Sequence, residues 1–401
     1  MECETEVAPV QFSDLPLGEE VQQAIAKSGY EQPTAIQAEI IPHLLFGRDV
    51  VAQSQTGTGK TAAFALPILT RIETECREPQ VLVLVPTREL AIQVASSFEN
   101  YGEFLEGFQH ATIYGGQDYE IQYRQLRKGP QVVVGTPGRV IDHIKNGKLD
   151  ISEIECLVLD EADEMLNMGF LEDVQFVLDH APDERQIALF SATLPAPIRK
   201  ISEQYLTDPA KVTIKRKTLT ADSIRQRAVF VSPRDRVETL IRFLEAEDAD
   251  GAIVFTRTRE TTSLVADKLV RAGLRAIALN GEMVQKARER TIEKLKSGQL
   301  DILVATDIAA RGLDVSRISH VFNYDLPEGP EAYTHRIGRT GRAGKKGEAV
   351  IFVTRSQQRK LQFIEKITRQ KIEIVDPPTA DEINKMRVKR FYSDIDKTIA
   401  N

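Results

Sequence analysis

Short apolar runs rich in β-branched residues alternate along the chain with longer stretches that carry apolar positions at helical spacing. Val81 to Val85, Val132 to Val134, Leu157 to Leu159 and Ile187 to Phe190 predict buried strands, with a strand-like Asp49 to Ala52 ahead of them. A second series follows at Val229 to Val231, Ala252 to Phe255, Ala276 to Leu279, Ile302 to Ala305, His320 to Asn323 and Ala349 to Val353. These runs are apolar throughout, whereas a strand with one wet face would alternate. They therefore predict parallel sheets covered by helices on both faces. Right-handed crossovers then give doubly wound α/β domains.

Between the two series, Thr213 to Asp222 contains Lys215-Arg216-Lys217 and has no core pattern. This predicts a first domain over residues 1–215, a linker over 216–222 and a second domain over 223–376, both of ordinary domain size. Pro377-Pro378 ends the second domain. A helical tail over 377–401 follows, with Val388, Phe391, Ile395 and Ile399 at helical spacing. No repeat of about 20–50 residues is visible.

Composition narrows the classes. A length of 401 residues fits two or more domains. The balance of 42% hydrophobic and 28% charged residues is that of a globular chain. No stretch approaches roughly 18 consecutive apolar residues, so no membrane span is expected. The first ten residues are acidic and lack a basic n-region, so no secretory signal is expected. Cys3, Cys76 and Cys156 are odd in number and far apart. That argues against a disulfide framework or zinc site and for the cytoplasm. The net charge of -7 excludes binding nucleic acid through overall charge; any such ligand needs a local groove.

The strongest chemical signal is Gln55-Thr56-Gly57-Thr58-Gly59-Lys60-Thr61, placed after a strand and opening a helix near Ala62. This is the context a phosphate-binding loop requires. Glycines let backbone N–H groups close around phosphate, Lys60 reaches the terminal phosphates and the Thr61 hydroxyl suits Mg²⁺. Ser54 stands where the pattern usually begins with glycine. A Gly-rich turn before a helix is the plain alternative. Leu157-Val158-Leu159 then runs into Asp160-Glu161-Ala162-Asp163, two carboxylates at the carboxyl end of a buried strand, where α/β sheets bind ligands. Asp160 suits a Mg²⁺ role through water, and Glu161 can orient or deprotonate the attacking water. Alone, such a turn is most often a solvated helix N-terminus; the upstream loop changes that reading. His335, Arg336, Arg339 and Arg342 form a glycine-punctuated basic segment in the second domain. It is either a solvated loop or the source of the arginine that phosphoryl transfer needs.

Taken in order, these segments resemble the DEAD-box RNA helicases of superfamily 2. The likeness runs from Phe12 to Asp376. Phe12 and Gly29-Tyr30 through Pro33-Thr34-Ala35-Ile36-Gln37 look like the adenine-reading Q motif, and Gln55 to Thr61 like motif I. Pro86 to Ala91, Gly115-Gly116 and Thr136-Pro137-Gly138-Arg139 look like motif Ia, the GG motif and motif Ib. Asp160 to Asp163 matches motif II, Ser191-Ala192-Thr193 motif III, Val254-Phe255 motif IV with Gln285-x-x-Arg288 after it, Thr306 to Asp314 motif V, and His335 to Arg342 motif VI. Ala278 to Met283 and Leu300 to Asp307 are most like the bacterial cold-shock DeaD type.

The resemblance implies two tandem RecA-like domains and RNA-stimulated ATP hydrolysis with Mg²⁺, driving local, sequence-independent remodelling of RNA. It implies a catalytic set of Lys60, Asp160, Glu161, His335, Arg339 and Arg342. It implies nucleotide contacts at Phe12, Tyr30, Gln37, Gln55, Thr56, Gly57, Thr58, Gly59, Lys60, Thr61, Gly312 and Asp314, with Thr61 and Asp160 toward the metal. RNA-backbone contacts are expected at Arg88, Gly116, Thr136, Arg139, Arg257, Arg288 and Thr306. Coupling is expected through Asp163, Ser191 and Thr193. Gln37 can pair with adenine N6 and N7, while guanine presents a second acceptor there. Phe12 either stacks on the base or anchors the N-terminal arm. Ribosomal precursors or RNA-degradation complexes are the expected partners, and the tail either docks on the second domain or starts a dimer module. Two rivals stand beside this reading: an RNA clamp without catalysis, disfavoured by intact Lys60, Asp160, Glu161, Arg339 and Arg342, and a DNA-directed motor, disfavoured by the Asp-Glu-Ala-Asp form and the Q motif.

Overall fold

The computed structural model describes residues 11–54, 57–214, 223–281, 283–313, 315–342 and 345–400, the side chains at 390, 391 and 393–400 excepted. Gln55, Thr56, Asp314 and the expected linker at 216–222 lie outside the described residues, as do the side chains of Phe391, Ile395 and Ile399. The chain divides into two compact units, Met1–Arg216 and Lys217–Asn401.

The first unit contains β1 Val50–Gln53, β2 Val81–Leu84, β3 His110–Ile113, β4 Val132–Gly135, β5 Cys156–Leu159, β6 Gln186–Ser191 and β7 Ala210–Thr213. All pair in parallel, in the order β3-β4-β2-β5-β6-β1-β7. Successive residues point to opposite faces of a strand, and here both faces are covered. Val83, Val158 and Phe190 enter one apolar cluster with Phe64 and Phe98. Leu82, Leu157 and Leu189 enter the cluster on the other side with Val140 and Val177. That is why these strands read as unbroken apolar runs.

The second unit contains β8 Ile224–Phe230, β9 Gly251–Phe255, β10 Ala276–Leu279, β11 Ile302–Ala305, β12 Ile318–Asn323, β13 Gly347–Val353 and β14 Glu373–Ile374. Its sheet is also parallel, in the order β10-β11-β9-β12-β13-β8-β14. Numbered from its own first strand, each unit reads 3-4-2-5-6-1-7. The chain is a structural duplication.

Three strands were not expected, β3, β7 and β14. All are edge strands or nearly featureless pairs of residues. β3 and β7 alternate buried and more open positions, and both residues of β14 are exposed. β7 also takes in Thr213, the first residue of the segment without a core pattern. The tail does form a helix, Ala380–Ala400. Its first half packs on the helix Arg236–Ala246 of the same unit, with Ile383 buried and Arg387 paired to Glu245 at 2.8 Å. Val388, placed on the expected apolar stripe, is 54% exposed instead. It is the one residue of that stripe whose side chain is described. Among the described residues no helix is long and apolar enough to cross a membrane.

Candidate active site

β5, β6 and β1 are neighbours in the first sheet, so their carboxyl ends bring together segments more than a hundred residues apart. β1 leads through Ser54 into the glycine loop and then the helix Lys60–Arg71. Gly57 and Gly59 have φ of 76° and 89°, the left-handed region that side chains avoid. This turn points the Lys60 ammonium back across the loop. Its Nζ donates to the Ser54 carbonyl at 3.5 Å and stands 3.8 Å from Asp160 Oδ1. Ser54 Oγ and Thr58 Oγ1 lie 3.3 Å apart. The serine that replaces the usual glycine therefore closes the loop with its side chain. Both members of the Lys60–Asp160 pair are buried, at 6% and 3% exposure.

Burial pushes the Asp160 carboxyl up to about 6, although Lys60 pulls it down. Desolvation wins because a carboxylate loses more hydration than one partner returns. Glu161 follows with φ 53° and ψ 49°, left-handed although it is not glycine. Such a conformation costs on the order of 1–3 kcal/mol and collects at functional sites. It turns the chain sharply from β5 into the helix Ala162–Asn167. Asp163 then ties this turn to the end of β6. Its Oδ2 accepts from the Thr193 amide at 2.8 Å and the Thr193 hydroxyl at 2.9 Å, while its own amide donates to Ser191 Oγ at 3.2 Å. The three residues expected to couple form one network.

Gln37 lies under the loop. Its Oε1 accepts from the Thr34 amide at 2.8 Å and its Nε2 donates to the Gly59 carbonyl at 3.1 Å. Thr34 Oγ1 donates to the Thr58 carbonyl at 2.9 Å. Thr34-x-x-Gln37 is thus a capping box of the helix Ala35–Leu45 that also braces the phosphate loop. Thr34 entered the sequence analysis only as part of the Q motif, without a role of its own, though its spacing to Gln37 made the capping box readable. One amide hydrogen and one acceptor lone pair of Gln37 remain beyond these bonds, the two a base edge needs. Phe12 is 4% exposed and packs with Ile25, Ile36 and Ile40 in the first core, as the anchoring alternative expects. Tyr30 is 56% exposed.

The RNA candidates gather on the other half of each sheet. Arg88 follows β2, Gly116 follows β3 and Thr136 follows β4, and these three strands are adjacent. A Cβ at Gly116, whose φ is 86°, would lie 2.5 Å from Arg88 Nη1, so glycine is what lets the two meet. Arg139 is one turn into the helix that Thr136 caps, Pro137–Lys145. In the second unit Arg257, Arg288 and Thr306 follow β9, β10 and β11, the equivalent three strands. Arg288 is buried and its Nη2 donates to the Ala309 carbonyl at 2.6 Å. Thr306 caps the short helix Asp307–Ala310.

The basic segment of the second unit separates by function. Arg336 is 3% exposed and pairs in two-pronged fashion with Asp307, at 2.6 and 2.8 Å, and also donates to Asn323 Oδ1 and the Asp325 carbonyl. It fixes the helix Pro330–Ile337 to β12 and cannot be one of four basic groups open to a ligand. Arg339 and Arg342 are half-buried. Arg339 Nη1 donates to the Leu313 carbonyl at 3.0 Å, and Arg342 Nε donates to the Gly338 carbonyl at 2.9 Å. His335 occupies the last turn of the helix before them, and Gly312 is left-handed with φ 71°.

A duplicated parallel sheet with a phosphate loop, an acidic strand end and a second-unit arginine segment defines the core of a nucleic-acid motor. Family models agree: DEAD/DEAH box helicase matches residues 34–201, and helicase conserved C-terminal domain matches residues 235–344. The chain is 52% identical over 384 residues to the ATP-dependent RNA helicase DeaD of Mycobacterium tuberculosis, covering 96% of this chain and 68% of that one. Against the Escherichia coli DeaD the figures are 50% over 388 residues, 97% and 62%. Saccharomyces cerevisiae Dbp5 bound to RNA and ADP BeF3 shares the fold with a TM-score of 0.83 and 32% identity, over 94% of this chain and 98% of that one. The chain belongs to the DEAD-box family of ATP-dependent RNA helicases.

Proposed function

We propose that Lys60, Asp160 and Glu161 carry ATP hydrolysis in this helicase and that Arg339 and Arg342 complete it. The observation that carries this reading is the buried Lys60–Asp160 pair at 3.8 Å beside a left-handed Glu161. Lys60 holds the β- and γ-phosphates. Glu161 orients the attacking water and takes its proton. Arg339 and Arg342 neutralise charge on the phosphoryl group as it transfers. His335 lies one helical turn before Arg339 and supports the same loop. Gln37 reads adenine with the hydrogen-bonding capacity left after bracing Gly59, and Tyr30 covers the base.

Mg²⁺ suits this site. Asp160 is a buried carboxylate whose lost hydration leaves it at about 6, a deficit that a divalent cation offsets. Thr61 and Asp160 would hold it, with phosphate oxygens and water as the other oxygen ligands a hard cation takes. When bound, the ion would supply charge neutralisation to the phosphates.

RNA contacts fall on Arg88, Gly116, Thr136, Arg139, Arg257, Arg288 and Thr306. Arginines, small residues and helix N-termini suit phosphates and sugars, which position a strand without reading its sequence. The Asp163–Ser191–Thr193 network links the catalytic turn to β6 and transmits the nucleotide state. On the family resemblance we place the work in the cytoplasm, on structured RNA such as ribosomal precursors and with RNA-degradation partners. The test is steady-state ATPase activity with and without RNA for the wild type and Glu161→Gln. RNA-stimulated turnover in the first and its loss with retained ATP binding in the second are expected; undiminished turnover in Glu161→Gln defeats the assignment.

A further inference from the structure

One fully buried amide joins two of the motifs on the RNA half of the first unit. Gln122 is 0% exposed, inside the helix Tyr119–Leu126. Its Nε2 donates to the Tyr114 carbonyl at 2.8 Å and to Gln117 Oε1 at 3.0 Å. Its Oε1 accepts from Arg139 Nη1 at 3.2 Å and lies 2.8 Å from His143 Nε2. A glutamine amide has two N–H donors and two acceptor lone pairs, so its whole capacity is used. The arrangement also fixes which end is which. Both partners on one side are oxygens and Arg139 on the other can only donate, so the amide cannot be flipped. His143 must then present Nε2–H. It is itself 0% exposed, and burial followed by the Arg139 charge lowers its pKa, which keeps the ring neutral.

Arg139 is held on several sides. Nη1 donates to the Gln117 carbonyl as well as to Gln122, both at 3.2 Å. The guanidinium carbon stands 3.9 Å from the centre of the Tyr119 ring, and Nε is 3.9 Å from Asp142 Oδ2. These contacts define the plane of the guanidinium and leave Nη2 outside every one of them. Tyr114 and Gln117, which Gln122 also grips, flank Gly115-Gly116.

We infer that Gln122 is a positioning residue for RNA: it locks the Gly115-Gly116 loop and Arg139 into one unit, so that two backbone contacts from separate motifs meet a strand at a fixed spacing. This rests on reading Arg139 and Gly116 as RNA contacts. The physical reason is entropy. A guanidinium ordered before binding loses less freedom when it meets phosphate. A buried amide with four partners is a costly anchor if ordinary packing were its only role, because each missing partner leaves a desolvated polar group.

The test measures RNA-stimulated ATPase activity for Gln122→Met, Gln122→Glu, Arg139→Ala and the double variant Gln122→Met/Arg139→Ala. Methionine keeps the volume and loses all four bonds. Glutamate keeps the acceptors toward Arg139 and His143 and loses both donors to the loop. Gln122→Met should raise the RNA concentration for half-maximal stimulation about tenfold, the weight of one misplaced charge-assisted bond. Turnover at saturating RNA and the KM for ATP without RNA should stay near wild type. The double variant should be little worse than Arg139→Ala alone, since the two act through one group. Gln122→Glu should fall between, and carries the test if methionine prevents folding, judged by thermal unfolding. Unchanged half-saturation in both Gln122 variants while Arg139→Ala weakens RNA overturns the inference alone. Parallel losses in turnover and ATP affinity also overturn it, since they mark a general structural role. An unaffected Arg139→Ala removes the reading of Arg139 and the role of Gln122 with it.

Discussion

Gln37 and Gly59 touch across the floor of the phosphate loop. The amide nitrogen donates to the glycine carbonyl at 3.1 Å, and a Cβ on residue 59 would stand 2.5 Å from that nitrogen. The residue expected to read adenine and the loop expected to hold phosphate are therefore one mechanical piece. Gly59→Ala, strained at φ 89° as well as crowded, should weaken ATP binding and move Gln37 together. Gln37→Ala should lower ATP affinity by roughly 1–3 kcal/mol and erode the preference over GTP. Competition binding with the two nucleotides checks both variants; unchanged nucleotide choice places adenine recognition elsewhere.

Lys60→Ala should abolish ATPase activity by removing the charge at the terminal phosphates. Glu161→Gly should dissociate stability from activity. Glycine relieves the left-handed strain at residue 161, so the midpoint of thermal unfolding should not fall. Turnover should drop by on the order of 10²-fold or more without the carboxylate. A destabilised Glu161→Gly would show that the carboxylate, and not strain, dominates at this turn.

Arg342→Ala should cut kcat severely, by about 10³-fold or more if it serves the transferring phosphoryl group, and leave ATP binding without RNA nearly intact. Arg342→Lys should not restore it, because lysine lacks the planar fork. Equal losses of affinity and turnover would place Arg342 in the ground-state pocket.

Arg336→Ala predicts the opposite outcome. Removing this arginine takes the two-pronged partner from Asp307, whose side chain is 38% exposed and can be rehydrated, and leaves Asn323 Oδ1 and the Asp325 carbonyl without their donor, at about 1–3 kcal/mol for each buried acceptor. The second unit should unfold several degrees earlier, read by calorimetry. A variant as stable as wild type would mean that solvent replaces the guanidinium at little cost.

Deleting residues after Pro378 should destabilise the second unit and leave the oligomeric state unchanged. Ile383 is buried against the helix Arg236–Ala246, while the pairs Arg387–Glu245 and Lys389–Asp248 are largely exposed. Each such pair is worth at most about 1 kcal/mol and is screened by salt. Light scattering should report a monomer with and without the tail; a dimer lost on truncation would make the tail an assembly element.

The sequence by itself determined what depends on neighbours along the chain. The phosphate loop was legible because glycine spacing and a following helix fix a backbone shape locally. Central strands such as Leu157 to Leu159 were legible because burial on both faces leaves no polar positions. The edge strands β3, β7 and β14 were not, since a half-exposed strand of two to four residues carries too little pattern to stand out from a loop. Only the tertiary structure decided the rest. It showed that Arg336 belongs to Asp307, 29 residues upstream, and that Phe12 packs within the first core. It buried Ile383 of the tail and left Val388 exposed. It collected Arg88, Gly116 and Thr136 at three adjacent strand ends, and repeated that order of strands in the second unit. Strand order is set by which crossovers pack, a property of the assembled sheet, and it leaves no periodic trace along the chain.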